Sequence, residues 1–300
     1  MSELLGSYEF TLNVILVQAI LVLSLYVVFQ AGLLSMASVG FMAVGGYATT
    51  LLTLEQNWPI LGGVVAGAVM GGVVAAIFGI PVLRLGGIYL ALGSLALSQA
   101  IVIGIANFEF TNGARGFAGI ELAVTTEHLL LVLIVTGVIL QITHRSYIGR
   151  AIRAIRLDER TAEGLGINTV LYKRVLFAFS GVLAGLAGAL EAHLTGVISP
   201  DQYGFDLLVV ALTYMIVGGS GHWIGPLGMT VVLGIVRDRL GLGGTSLENI
   251  IFGSLLVAVM ILAPAGISDR VMYRDIGRWI RRKRTGRGVQ VVTTPQGEVS

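Results

Sequence analysis

Charged positions divide the chain into long apolar intervals. Residues 10–54, 56–83, 85–108, 128–144, 175–190, 207–236 and 249–268 contain no Asp, Glu, Lys or Arg. A hydrocarbon core about 30 Å thick takes roughly 20 helical residues. The first interval is long enough for two spans, with a break near residues 30–35. The next four intervals predict one span each, the last of them ending at Glu191. Residues 207–236 are interrupted by Gly218-Gly-Ser-Gly-His-Trp-Ile-Gly-Pro226. That stretch reads as one long helix, two short spans or a re-entrant hairpin. The last interval adds a final span.

Charge narrows the choice. Of 19 Lys and Arg, seven lie in residues 145–174 and eight in 270–287. Basic loops are retained on the cytoplasmic side, so both stretches are expected there and an even number of crossings separates them. The interrupted interval then contributes two crossings or none. Glu55, Glu109, Glu121, Glu127, Asp201, Asp206 and Glu248 fall on the opposite side, with Arg115, Arg237 and Arg239 as minor exceptions. The expected fold is an all-α integral membrane protein, a polytopic helical bundle of about eight to nine spans with broken or re-entrant helices. Residues 1–268 form its transmembrane domain, with a cytoplasmic loop at 143–174 inside it, and 269–300 form a basic cytoplasmic tail.

Composition removes the competing classes. Apolar residues are 55% of the chain and charged residues 12%, against roughly 25% charged in soluble domains. A soluble enzyme, a nucleic-acid binder and a disordered chain are excluded. There is no cysteine, hence no disulfide framework or thiolate metal site. His128, His144, His193 and His222 are scattered, so no metal site and no catalytic set is expected. Neither Lys173 nor Lys283 follows the glycine pattern of a P-loop. Residues 1–10 carry Glu3 and Glu9 without a basic residue, unlike a cleavable signal peptide.

Small residues shape the packing. Gly63, Gly67, Gly71 and Ala75 recur every four positions, as do Gly181, Gly185 and Ala189. Such rows let helices approach closely in lipid. Residues 35–47 hold Gly40, Gly45 and Gly46 among further small residues, a composition suited to a broken helix lining a cavity. Polar candidates for a solute path are few. Ser94, Ser98 and Gln99 lie mid-span, and Ser94 and Ser98 share one helical face. With Gly40, Gly45 and Gly46 they form the candidate path. Glu191 and His193, near a span end, are expected to snorkel to the interface.

Residues 146–160 read as one amphipathic helix. Arg150, Arg153, Arg156 and Arg160 form a polar stripe; Ile148, Ile152, Ile155 and Ala162 form the other side. Glu159 and Glu163 sit near the stripe at helical spacing. The residues fit equally a helix lying on anionic lipid and a docking helix for a soluble partner. In the docking reading, small Gly149 and Ala151 admit a partner surface, with Ala154 and Ala162 along the same segment. Arg150, Arg153 and Arg156 supply charge-assisted hydrogen bonds. Gly164 and Gly166 turn the chain back to the membrane.

These residues carry a family resemblance. Gly149-Arg-Ala-Ile-Arg-Ala-Ile-Arg156 followed by Ala162-Glu-Gly-Leu-Gly-Ile-Asn168 resembles the coupling loop of branched-chain amino-acid ABC transporter permeases. Residues 38–47, 83–92, 177–190, 199–201 and 218–228 resemble further landmarks of that family in the same order, so the likeness covers roughly residues 10–268. Of its two permease types, the chain is more similar to the one with Gly-Ile-Asn and Ser-Pro-Asp. His222 stands where the family usually has Ser, and the basic tail is not a family feature. The resemblance implies a permease subunit of an ABC importer in the cell membrane for leucine, isoleucine or valine. It implies alternating access driven by two separate cytoplasmic ATPase subunits that hold the ATP. It also implies a second homologous permease and an extracytoplasmic solute-binding protein. The chain itself is expected to bind no cofactor and, beyond membrane lipid, to meet no nucleic acid. A permease for urea or another neutral amide, and a self-sufficient carrier or channel, remain as alternatives.

Overall fold

The computed structural model describes residues 2–219, 221–239, 250, 251, 253–255 and 257. The tail at 269–300 and most of the final span lie outside the described residues. Ten α-helices and one two-stranded ribbon are seen among them. Helix α1 (Ser2–Phe29) carries no charge after Glu9 and shows no polar stripe. A helix of that kind has no solvent face to present, and α1 runs through the bundle with residues 19–23 fully buried.

After α1 the chain turns at Gly32, whose φ of +77° is the left-handed region that glycine tolerates. Residues 33–37 are non-helical, and α2 (Ser38–Leu54) begins only at Ser38. The break expected near residues 30–35 is therefore an unwound stretch followed by a 17-residue helix. It lies beside α8 (Thr169–Thr195): Ser38 meets Ser180, and Thr49 meets His193, so the two helices run parallel. Helix α3 (Ile60–Val82) runs the other way, from Gly63 against Thr49 to Gly79 against Phe177.

These three helices meet on glycine. A methyl added to Gly71 would lie 2.6 Å from the Gly181 carbonyl oxygen and 2.8 Å from Gly185 Cα. One on Gly185 would lie 2.7 Å from the Gly67 carbonyl oxygen, and one on Gly45 would overlap the Gly185 backbone. Real Cβ atoms do not come so close, so backbone itself forms the contact. The two small-residue rows are thus facing halves of one interface.

Helix α4 (Ile88–Asn107) packs chiefly on α2 and exposes Ile88, Tyr89, Leu92 and Ile103. After it, β1 (Phe117–Ala118) pairs antiparallel with β2 (Val197–Ile198), which follows α8. Helix α5 (Thr126–Arg145) returns to the end that carries α6 (Tyr147–Leu157) and α7 (Glu159–Gly164).

The interrupted interval forms α9 (Phe205–Gly218) and α10 (Ile224–Arg239). At their turn, Trp223 Nε1 donates to Gln141 Oε1 at 2.9 Å, and the His222 ring lies 5.0 Å from that of His144. The turn therefore sits at the basic end of α5. At the far end of α10, Asp238 accepts from Thr11 Oγ1 at 3.1 Å. Each helix runs from one end of the bundle to the other, the arrangement expected of two crossings. Five described helices are long and apolar enough to span a membrane unaided; α2, α9 and α10 are shorter.

Two outcomes are expected. Single cysteines replacing Leu157 and Gly221, both exposed, label from the cytoplasmic face, whereas one replacing Leu122 labels only from outside. Labelling of Gly221→Cys from outside would mean that α9 does not cross. Gly45→Val overlaps the α8 backbone and is expected to destabilise by about 3 kcal/mol. Gly164→Ala meets open space and is expected to change stability by about 0.5 kcal/mol or less. Thermal unfolding in detergent compares them.

Candidate functional site: the basic segment and the broken helix

The basic segment is two helices, where the residue pattern predicts one over 146–160. Asp158 is extended and ends α6. Its carboxylate then caps α7, accepting from the Arg160 and Thr161 N–H groups at 3.0 and 3.3 Å and from the Thr161 hydroxyl at 2.7 Å. An N-cap acceptor satisfies donors that an α-helix leaves open. The Thr161 hydroxyl above all, then the N–H groups, holds the Asp158 carboxyl below its ordinary value of 3.8. The cap is complete above that value and is lost only as pH falls through the lowered one.

The face that α6 turns to the bundle carries Gly149, Ala151, Ile152 and Ile155, and Ala162 continues it from α7. Gly149 presses on the last carbonyls of α5, at Thr143 and His144. Gly149 and Ala151, read from sequence as room for a partner, are thus taken up by α6's own seat. Ile148, expected on the apolar side, is exposed. The outward edge holds Tyr147, Arg150, half-buried Ala154 and Leu157, the last 87% exposed, with Leu165 beyond.

The charges are organised differently from a plain stripe. Arg150 lies over the Tyr147 ring at 5.7 Å. Arg153 donates to the His144 carbonyl at 3.2 Å. Arg156 packs on Gly32, where an added methyl would lie 3.5 Å from its Cγ. Glu159 pairs with Lys173, and Glu163 accepts from Thr169 Oγ1 at 2.7 Å. Both glutamates therefore tie α7 to α8. Gly166 has φ +82° and makes the turn. Gly164 ends α7 with no left-handed geometry.

The candidate path residues separate into two groups. Ser94 and Ser98 face one side, Ser94 toward the unwound residues 33–37 and Ser98 toward the first turn of α2, as their shared helical face implies. The Met36 N–H donates to Ser94 Oγ at 2.8 Å, and the Ser94 hydroxyl donates to the Ala91 carbonyl at 3.0 Å. Ser94 thus satisfies a backbone donor that unwinding has freed. Ser98 is fully buried, its Cα 2.9 Å from where a Gly40 methyl would stand. Gly45 and Gly46 lie on the α8 side instead, against Gly185, Gly188 and the Tyr203 hydroxyl. Gln99 is half-buried, and its Nε2 has no hydrogen-bond partner.

None of these six lines the cavity of about 510 Å³ between α2, α3 and α4. Val44, Tyr47, Val74, Leu97 and Ile101 are among its walls. Ordinary apolar residues at ordinary helical spacing gave no signal for it. The interface expectation for the end of α8 is also corrected. His193 is fully buried, Nδ1 lying 3.0 Å from the Glu121 carbonyl and Nε2 3.4 Å from Thr49 Oγ1. Glu191 Oε2 is buried too, near Tyr203. The fold of residues 117–121 over α8 supplies cover that no single helix reveals.

Ser94→Ala leaves the Met36 N–H buried without its acceptor. The expected cost is about 1–3 kcal/mol, read as a lower unfolding midpoint that Ser94→Thr partly restores. An unchanged midpoint in Ser94→Ala would show that the bond contributes nothing.

Comparison with known proteins follows this geometry. The chain is 28% identical to the high-affinity branched-chain amino acid transport system permease protein LivM of Salmonella typhimurium over 284 residues. It is 28% identical to LivM of Escherichia coli over 280 residues. Each match covers 80% of this chain and 65% of that protein, so the chain spans just under two thirds of their length. The D-allose transport system permease protein AlsC of Escherichia coli is 28% identical over 244 residues, 75% of this chain and 73% of that protein. The family described as branched-chain amino acid transport system / permease component matches residues 7–263, and the chain belongs to that family of membrane permeases.

Proposed function

We propose that this chain is the membrane-spanning subunit of an ABC importer for branched-chain amino acids. The observation that carries the reading is the outward edge of α6 and α7. Arg150, Leu157 and Leu165 stand clear of the bundle at its basic end with half-buried Ala154 beside them, while the opposite face of the same segment is fixed to α5, Gly32 and α8. A loop so divided can pass force from a soluble partner to the membrane helices. In this reading that end is cytoplasmic, as is the tail at 269–300. Two separate ATPase subunits bind and hydrolyse ATP, a second permease completes the pathway, and an extracytoplasmic binding protein delivers the solute.

Coupling then has a defined route. Movement of α6 reaches α5 through Gly149, the broken segment through Arg156 against Gly32, and α8 through the Glu159–Lys173 pair. The broken segment depends on Ser94 for a backbone bond, so a change there alters how α4 sits on α2. Alternating access follows if that contact differs between inward-open and outward-open states.

Relatives that carry sugars, such as the D-allose permease, make a sugar the competing solute. The apolar walls between α2, α3 and α4 favour an aliphatic one. A sugar passing there leaves several hydroxyls without partners, at about 1–3 kcal/mol each. The test is ATP hydrolysis by the purified complex with its binding protein. Leucine, isoleucine and valine are expected to stimulate it, and ribose and allose are not. Stimulation by a sugar alone would overturn the solute. Ala154→Trp and Leu157→Asp are expected to abolish stimulation while leaving the permease folded. Normal stimulation in both would assign the segment to lipid.

A further inference from the structure

A second pocket, of about 530 Å³, lies at the basic end of the bundle. The broken segment, the turn before α4 and the junction of α6 with α7 enclose it. Its walls combine two chemistries. Leu33, Leu34, Leu85 and Ile155 supply apolar surface. Arg156, Lys173, Asp158 and Glu159 supply a charged rim. Volumes of about 300–1,000 Å³ are typical of small-molecule sites.

The charge balance selects the ligand. Two cations and two anions leave the rim with no net formal charge. A multiply charged anion gains little from such a rim, whereas a zwitterion can set each of its charges against the opposite one. The Arg156 guanidinium on that rim is a planar fork of N–H donors, a geometry that matches a carboxylate. Glu159 is 45% exposed beside Lys173, leaving an oxygen edge for an ammonium group. Gly87 provides no side-chain cap to the first turn of α4, and Ile88 and Leu90 of that turn border the pocket. The positive end of α4 therefore adds to the carboxylate side. The apolar walls then receive a branched aliphatic side chain.

We infer that this pocket binds a free branched-chain amino acid on the side where import releases it, and that its occupancy restrains the coupling segment. The inference rests on the solute reading above. A ligand here touches residues 31–34, 85–88 and 155–159 at once. It binds the arrangement in which these three segments lie together more tightly than any in which they separate. Population shifts toward the first by that differential affinity. The ATPases must then displace α6 and α7 against the bound ligand, so accumulated product slows its own import.

Gly86 provides a clean probe. An added Cβ there meets nothing within 4 Å and its φ is not left-handed, so Gly86→Phe adds bulk at the pocket wall without strain. The complete complex is placed in liposomes with its ATPases outward, and binding protein and leucine are sealed inside. Leucine added outside is expected to lower the stimulated ATP hydrolysis severalfold, while ribose added outside is not. Gly86→Phe is expected to keep the stimulation and lose the response to outside leucine. Undiminished hydrolysis in the native complex, equal inhibition by ribose, or equal inhibition of Gly86→Phe would each overturn the pocket. Absence of any stimulation by the sealed leucine overturns instead the solute reading on which it rests.

Discussion

The close approach of α2, α3 and α8 along their glycines is the constraint on which the other features depend. Lipid offers helices no hydrophobic gain on association, so contact enthalpy and complementary shape must hold them. Gly45, Gly67, Gly71, Gly181 and Gly185 bring carbonyl oxygens and Cα atoms together where any side chain would intervene. With those backbones in contact, α2 is fixed along its length although residues 33–37 before it are not helical. An unwound stretch is tolerated at membrane depth only when protein satisfies its backbone. The α8 contact positions residues 33–37 for that purpose, and Ser94 from α4 then meets the Met36 N–H.

Much of this was legible because its physical signals are local. The glycine rows, the charge-free intervals and the unequal placement of Arg and Lys each depend on one segment at a time. They indicated a helical membrane bundle, a break after α1 and an interruption between α9 and α10. The facing of Ser94 and Ser98 followed from helical spacing alone. Which glycines faced each other did not, since that requires knowing that α3 runs against α8 and α2 runs with it.

The misplaced expectations share one cause. Gly149 and Ala151 are small on an amphipathic helix, which is equally true of a surface kept open for a partner and of one pressed against α5. Glu159 and Glu163 stand at helical spacing from the arginines, and that spacing does not reveal their bonds to Lys173 and Thr169 of the next helix. Asp158 breaks the helix because its carboxylate gains more as a cap than its backbone does as helix interior. His193 and Glu191 look like interface residues until β1 and β2 close over the end of α8. In each case the deciding neighbour lies on another element, and periodicity along one element carries no record of it.

The same contacts divide the bundle into parts that move together and a part that can move apart. Helix α8 is continuous from Thr169, bound to Glu163, to His193, bound under Glu121. With α2 and α3 locked to it by backbone contact, these three helices have no soft layer of side chains in which to slide. Helix α4 is held otherwise. Its buried face sets Ser94 against Met36 and Ser98 against Gly40, with Leu90, Val102 and Ile105 also buried, and its remaining faces expose large apolar residues. One hydrogen bond nets about 0.5–1.5 kcal/mol, a scale that binding energy from a partner readily exceeds. The cavity lies on this yielding seam, between the locked pair α2–α3 and α4. On the importer reading proposed above, force entering at α6 is carried by the glycine-locked helices as a unit and is spent where α4 leaves them.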